Sequence, residues 1–299
     1  MSASNADASA ARAAFERLLV AMRPRLHRYT ARMTGSVIDG EDVVQEAFAK
    51  AIEAYTSAAP IDSSEGWLFR VAHNAALDHL RRRARQATAP DGELEMIADP
   101  VDATGDRQIA AMSLRTFMRL PAAQRSVVIL MDVLGYSLKE VGAIAGMSLA
   151  AVKAALHRGR ERLRELADEP DDNPLPVHPE AQRSLLAAYV DRFNARDFDA
   201  IRDMLADEVR LELVARTRMS GRKAVGGYLE NYAATGDWRF APGLVEGRAA
   251  ILVSRPGAAS GPPAYFILLE SDRDRVTAIR DFRYAPYAIE GAEASFSEP

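Results

Sequence analysis

Between residues 136 and 163 the chain reads YSLKEVGAIAGMSLAAVKAALHRGRERL, and its cations are unevenly spread. Lys153, Arg158, Arg160, Arg162 and Arg164 crowd the later half and the next turn, whereas Leu149, Ala150 and Ala151 present only apolar side chains. Cationic groups along a helix flank suit phosphate oxygens, and a bidentate arginine in a major groove can read guanine. Small side chains at the helix tip let it approach base edges without clash. Ser148, Lys153, Ala154, His157, Arg158 and Arg160 are therefore the candidate contacts to duplex DNA, with Lys153 and Arg158 the candidates for guanine. The plain alternative is a helical hairpin whose alanines merely favour helix.

A second constellation lies upstream. Trp67, Arg70, Asn74, Asp78, Arg81 and Arg85 recur at spacings of three or four, which puts them in one helical stripe. An aromatic ring, an amide and several guanidinium groups, with Arg82 beside them, suit unstacked single-stranded DNA, where a base stacks or hydrogen-bonds while cations hold the backbone. Trp67 reads first as packing against Phe48 or Tyr55, and His73 and His79 as packing or surface residues. A third set, Asp42, Gln45, Glu46 and Ala49, forms the polar side of a helix whose other side holds Val44, Phe48 and Ile52. Taken alone, that acidic side is a solvated face. No His and carboxylate spacing suggests a metal site.

The elements that position these residues follow from periodicity and caps. Ser137 and Glu140 form an S-x-x-E capping box, which predicts a helix from Leu138 to about Ala145. Gly146 breaks it, and Ser148 caps a second helix from Leu149, giving a helix-turn-helix. Val152, Leu156, Gly159 and Leu163 then form the face that packs on Val141, Ile144 and the preceding helix AAQRSVVILMDVLG. Helical periodicity also covers residues 12–85, with Ser63 or Ser64 capping the helix at Trp67. Residues 86–106 lose periodicity and read as a linker, long enough that the blocks it joins need not touch. A second helical block spans 107–167, and a proline-rich acidic connector spans 168–178. From 179 to about 290 the pattern becomes two helices, a strand at EVRLELV, a helix at GRKAVGGYLENYA, and strands at LVEG, AAILVS, AYFILLE and RVTAIRDFRY. Helices against one antiparallel sheet make an α+β domain.

Bulk properties narrow the class. The 299 residues, 48% hydrophobic and 27% charged, suit a multidomain globular protein. With no cysteine in the chain, disulfides and thiolate metal sites are excluded. The longest apolar runs fall short of a membrane helix, and the N-terminus lacks a signal-peptide pattern, so a cytoplasmic protein is expected. The net charge of −4 does not itself suggest nucleic acid. Clustering does, through RRRAR at 81–85 and the cations of 153–164.

LPAAQRSVVILMDVLGYSLKEVGAIAGMSLAAVKAALHRGRERL resembles region four of the extracytoplasmic function (ECF) group of sigma-70 factors, which reads the minus-35 promoter element. DVVQEAF at 42–48 resembles the region-two helix that binds RNA polymerase, and GWLFRVAHNAALDHLRRRAR at 66–85 the helix that opens and reads the minus-10 element. The resemblance implies binding to core RNA polymerase, through its beta-prime clamp and beta flap, and to promoter DNA. Within it Asp42, Gln45 and Glu46 face polymerase, and Arg70, Asn74, Arg81, Arg82 and Arg85 contact the opened strand. FNARDFDAIRDMLADEVRLEL and AYFILLESDRDRVTAIRDFRY resemble the SnoaL-like branch of the NTF2-like fold. The implied architecture is multidomain: two all-α helical domains followed by an α+β NTF2-like cone.

That last fold hosts enzymes and binding modules alike. Its expected role is to modulate the sigma domains, with an anti-sigma factor or small ligand as a further partner and Tyr232, Trp238 and Phe266 lining a cavity. No histidine follows His178, so an acid or base there would fall to residues such as Asp281, Glu270, Tyr228 or Tyr232. No catalytic residue and no cofactor are expected. Two rival readings stay open: a helix-turn-helix regulator independent of polymerase, and a SnoaL-like small-molecule enzyme with secondary DNA binding.

Overall fold

The computed structural model describes residues 2–57, 65–87, 109, 112–167, 179–229, 232, 238–255 and 261–296. It divides into two compact units, Met1–Asp171 and Asp172–Pro299. Most of the linker, the whole connector and the cap at Ser63 or Ser64 lie outside the described residues.

The first unit is helical. Its elements are α1 (Ser2–Thr34), α2 (Val37–Ser57), α3 (Glu65–Ala87), α4 (Leu114–Met118), α5 (Ala122–Val128), α6 (Leu138–Ala145) and α7 (Leu149–Ala167). α5 runs into a wide π-helical turn at Ile129–Val133, in which the Leu134 N–H reaches back five residues to the Ile129 carbonyl at 3.0 Å. The linker's length leaves the two helical blocks free to stay apart, yet they share one apolar core. Leu26, Tyr29 and Phe69 from the first block pack in the same cluster as Phe117, Val128, Val141 and Leu156 from the second.

One polar and one steric feature fix that junction. The buried Arg125 guanidinium donates to the carbonyls of Met33 at 2.5 Å, Leu120 at 2.8 Å and Met118 at 3.2 Å. It thereby satisfies one of the carbonyls that the end of α1 leaves without a helical partner. Burial draws its pKa down to about 10. Gly35 ends α1 with φ +75°, and a Cβ there would collide with Met118, so both the backbone angle and the space call for glycine. Within the first block, Phe15 stacks on Tyr55 at 4.3 Å and tilts against Trp67 at 6.5 Å. Trp67 thus packs beside Tyr55 through Phe15. His73 is buried and shares a 2.7 Å hydrogen bond with the Tyr29 hydroxyl.

Among the described residues the second unit holds α8 (Glu180–Asn194), α9 (Phe198–Met204) and α10 (Arg222–Leu229), with seven strands: β1 (Leu205–Leu213), β2 (Thr217–Ser220), β3 (Arg239–Val245), β4 (Arg248–Ser254), β5 (Tyr265–Asp272), β6 (Arg275–Asp281) and β7 (Ala294–Phe296). Their order is β2-β1-β6-β5-β4-β3-β7. The sheet is mixed rather than antiparallel throughout, because β1 pairs parallel with β6. LVEG is not a separate strand: Leu244 and Val245 end β3, and Glu246 and Gly247, both at positive φ, make the tight turn into β4. β1 alternates as its sequence demands, with Val209, Leu211 and Leu213 buried and Arg210 exposed. α8 supplies Tyr189, Val190 and Phe193 to the core formed with the inward sheet residues.

Candidate nucleic-acid interface

The helix-turn-helix forms as its capping residues dictate. The Ser137 hydroxyl accepts from the Glu140 N–H, the Glu140 carboxylate accepts from the Ser137 N–H, and Gly146 stops α6 in the left-handed region at φ +68°. Ser148 accepts from the Ala151 N–H at 3.2 Å in the first turn of α7. Ser148, Leu149, Ala150 and Lys153 are exposed there, while His157 and Arg158 are half-buried. His157 lies 3.5 Å from the Glu161 carboxylate.

Two of the duplex-reading candidates do not belong to that surface. Ala154 is buried. Arg160 is buried too, and its guanidinium grips Asp132 with Nε to Oδ2 at 2.9 Å and Nη2 to Oδ1 at 2.5 Å. The packed face of α7 is wider than the periodicity implied, since it includes Ala154 and Arg160, and Asp132 lies in the π-helical turn. A fork of two N–H donors on one carboxylate is the geometry in which arginine binds most firmly, so Arg160 serves the fold. Asp132 is 28 residues away in sequence, and no local pattern announces it.

On α3 the side chains of Arg70, Asn74, Arg81 and Arg85 are exposed along the stripe, and Trp67 is half-buried at its start. Arg81 pairs with Asp78 at 3.2 Å on the same helix. Arg82 reaches Glu46 of α2 at 2.6 Å, and Lys50 holds the same carboxylate at 2.8 Å. These hydrogen bonds keep the Glu46 carboxyl below its ordinary pKa. Two residues assigned to different ligands, Glu46 and Arg82, are thus partners of one another. Asp42 is exposed and Gln45 half-buried on α2, one to four residues away from Glu46. A cleft of about 540 Å³ lies where the start of α3 meets α6, lined by Arg25, Glu65, Trp67, Arg70, Tyr136 and Glu140.

In the second unit one of the three cavity candidates, Phe266, separates from the other two, which share a core cluster with Tyr265. Tyr232 packs against Phe193 at 5.1 Å and Phe240 at 5.9 Å, and Trp238 meets Tyr265 edge-on at 5.6 Å. Phe266 follows Tyr265 in β5 and so points to the opposite face, where it stacks on Phe282 at 4.2 Å. The Tyr232 hydroxyl donates to Asp281 at 2.5 Å, joined by the Tyr228 hydroxyl at 3.2 Å and the Arg283 N–H at 2.8 Å. Burial pushes the Asp281 carboxyl above its ordinary pKa, against those hydrogen bonds. A groove of about 490 Å³ opens elsewhere, among Arg210, Glu212, Arg218, Glu270 and Arg280. Among the described residues, no cluster of His, Cys, Asp or Glu could hold a metal ion, and no helix is long and apolar enough to cross a membrane.

Along the chain, a helix with an exposed amide-and-arginine stripe is followed by a helix-turn-helix and then by an α+β sheet unit, the order of a multidomain protein with candidate nucleic-acid surfaces. Residues 18–86 match Sigma-70 region 2, residues 114–163 match Sigma-70 region 4, and residues 186–264 match the SnoaL-like domain. The ECF RNA polymerase sigma factor SigG of Mycobacterium tuberculosis is 30% identical over 291 residues, covering 87% of this chain and 78% of SigG. The ECF RNA polymerase sigma factor SigE of Mycolicibacterium smegmatis is 34% identical over 146 residues, 47% of this chain and 56% of SigE. Among solved structures, the sigma factor RpoE in complex with the anti-sigma factor NepR from Bartonella quintana is 25% identical, with a TM-score of 0.40, over 53% of this chain and 98% of that one. The chain belongs to the ECF sigma factors of RNA polymerase. It binds core RNA polymerase and directs promoter-specific transcription initiation.

Proposed function

We propose that α3 and α7 divide the reading of the promoter. Arg70, Asn74, Arg81 and Arg85 hold the opened non-template strand of the minus-10 element, while Ser148, Lys153, His157 and Arg158 read the minus-35 duplex. The observation that carries this reading is the stripe on α3: an amide flanked by guanidinium groups, all exposed on one side of a helix whose other side is core. Such a surface stabilises unstacked bases and backbone together. Asp42 and Gln45 dock on polymerase, with Glu46 contributing through its pairing with Arg82 and Lys50. The protein acts in the cytoplasm, and it serves as a specificity subunit with no catalytic role of its own.

The SnoaL-like unit tunes that activity, alone or beside an anti-sigma protein or small ligand. The aromatic contacts around Tyr232 support a packed interior over a substrate cavity. Run-off transcription with core polymerase tests the whole reading, comparing the full chain, an Asn74→Ala variant and a chain ending near residue 170. The full chain should start transcripts at a defined promoter, Asn74→Ala should lower open-complex formation about tenfold, and the shortened chain should change the yield. Promoter-selective transcripts absent from every reaction would sink the assignment.

A further inference from the structure

Leu149, the first residue of α7, is 53% exposed, whereas Val152, Leu156 and Leu163 of the same helix are buried. Among the described residues it is the one large apolar side chain of the helix-turn-helix that stands exposed. It takes no part in the apolar core, not even at the edge, where Leu138 and Met147 pack. A lone exposed leucine on an ordinary surface means nothing. This one occupies the tip of the helix read above as the reader of duplex DNA.

Its place is fixed, and it shares a face with the polar candidates. The Ser148 hydroxyl accepts from the Ala151 N–H at 3.2 Å and holds the first turn. Helical side chains lean toward the N-terminus, so Leu149 projects past the tip, with the small Ala150 and Ala151 beside it. Lys153 and His157 follow at spacings of four, which stacks the three side chains on one face, with Leu149 and Lys153 exposed and His157 half-buried. Leu149 thus extends that face by one turn. In a major groove the base edges offer donors, acceptors and one kind of apolar group, the C5-methyl of thymine. A leucine laid over a donor or acceptor strips its water and returns no hydrogen bond, which opposes binding. Laid over a methyl, it removes apolar surface from water on both sides.

We propose that Leu149 is a specificity residue that selects a thymine in the minus-35 duplex through its C5-methyl group. Four residues of helix rise about 6 Å, and successive base pairs lie about 3.4 Å apart. The selected thymine therefore falls within about two base pairs of the pair that Lys153 contacts.

The role of Leu149 rests on the reading of α7 as the duplex-reading helix, and the test separates the two. The full-length chain with core polymerase first selects its minus-35 sequence from duplexes randomised in that region. Each thymidine of the selected duplex is then replaced singly by deoxyuridine, which removes the methyl and keeps every hydrogen-bonding group. One replacement should weaken binding of the native holoenzyme about three- to fivefold, the worth of one buried methyl. Leu149→Ala should bind the thymidine duplex more weakly by a similar factor and no longer tell it from the deoxyuridine duplex, while its unfolding midpoint stays level. Replacements that cost the native and Leu149→Ala chains equally at every position, or that cost neither, overturn the proposal. If neither Lys153→Ala nor Arg158→Ala weakens binding to the selected duplex, the reading of α7 falls instead, and the thymidine comparison still decides Leu149.

Discussion

Arg160 and Asp132 form a two-pronged ion pair at 2.9 and 2.5 Å whose side chains are only 10% and 1% exposed. Removing one member of such a pair strands the other charge in the core. Arg160→Ala should therefore cost about 3–5 kcal/mol of stability, read as a lowered midpoint in urea. Its effect on promoter binding should follow the loss of fold.

Lys153, by contrast, is exposed on α7. Lys153→Ala should leave the unfolding midpoint unchanged and flatten the salt dependence of duplex binding, each phosphate contact contributing about 0.9 to the slope of log affinity against log salt. An unchanged slope would remove Lys153 from the interface.

The Glu46–Arg82 pair bears on how polymerase docking is probed. Asp42→Arg, at an exposed position, should weaken co-purification with core polymerase without moving the melting temperature. Glu46→Arg sets three cations together with Arg82 and Lys50, so it should destabilise by about 0.5–1 kcal/mol as well. The swapped chain Glu46→Arg with Arg82→Glu should recover stability. Recovery of polymerase binding in the same chain would mean that the Glu46 charge does not face polymerase.

Stability of the helical unit should fall in mild acid. Burial depresses the His73 pKa from 6.5 to about 4, so the folded chain keeps the ring neutral while the unfolded chain protonates. The contribution is fully present above pH 6.5 and is lost as pH falls toward 4, by about 3 kcal/mol in all. His27, also held down mainly by burial, acts in the same direction. Urea titrations between pH 7 and 4 check this, and His73→Gln should reduce the slope.

Asp281 works in the opposite sense. Its folded pKa is raised, so the unfolded chain ionises first and stability declines as pH climbs above the ordinary carboxylate range. Asp281→Asn should flatten that decline in the SnoaL-like unit while keeping an acceptor for Tyr232. A steeper decline would show that the charge, not its burial, stabilises the site.

Part of this was legible in one dimension because it is local. The Ser137–Glu140 box, the Gly146 stop and the alternation of β1 are written within a few residues, and hydrogen-bonding reach makes them predictable at that range. The exposed stripe on α3 is equally local, since helical spacing alone aligns Arg70, Asn74 and Arg81. β2 and β7 escaped notice because strands of four and three residues carry too little pattern, and the parallel pairing of β1 with β6 needs partners about seventy residues apart.

The sequence by itself determined two helical blocks, a capped helix-turn-helix and an α+β unit, because caps, turns and apolar periods act between near neighbours. Only the tertiary structure decided that Arg160 spends its charge on Asp132, that Arg82 answers Glu46, that Phe266 turns away from Tyr232, and that Tyr136 meets Glu65. Each of these depends on groups between 28 and 71 residues apart, or on the face a strand turns to its neighbours, and long-range packing settles such choices after local geometry is fixed.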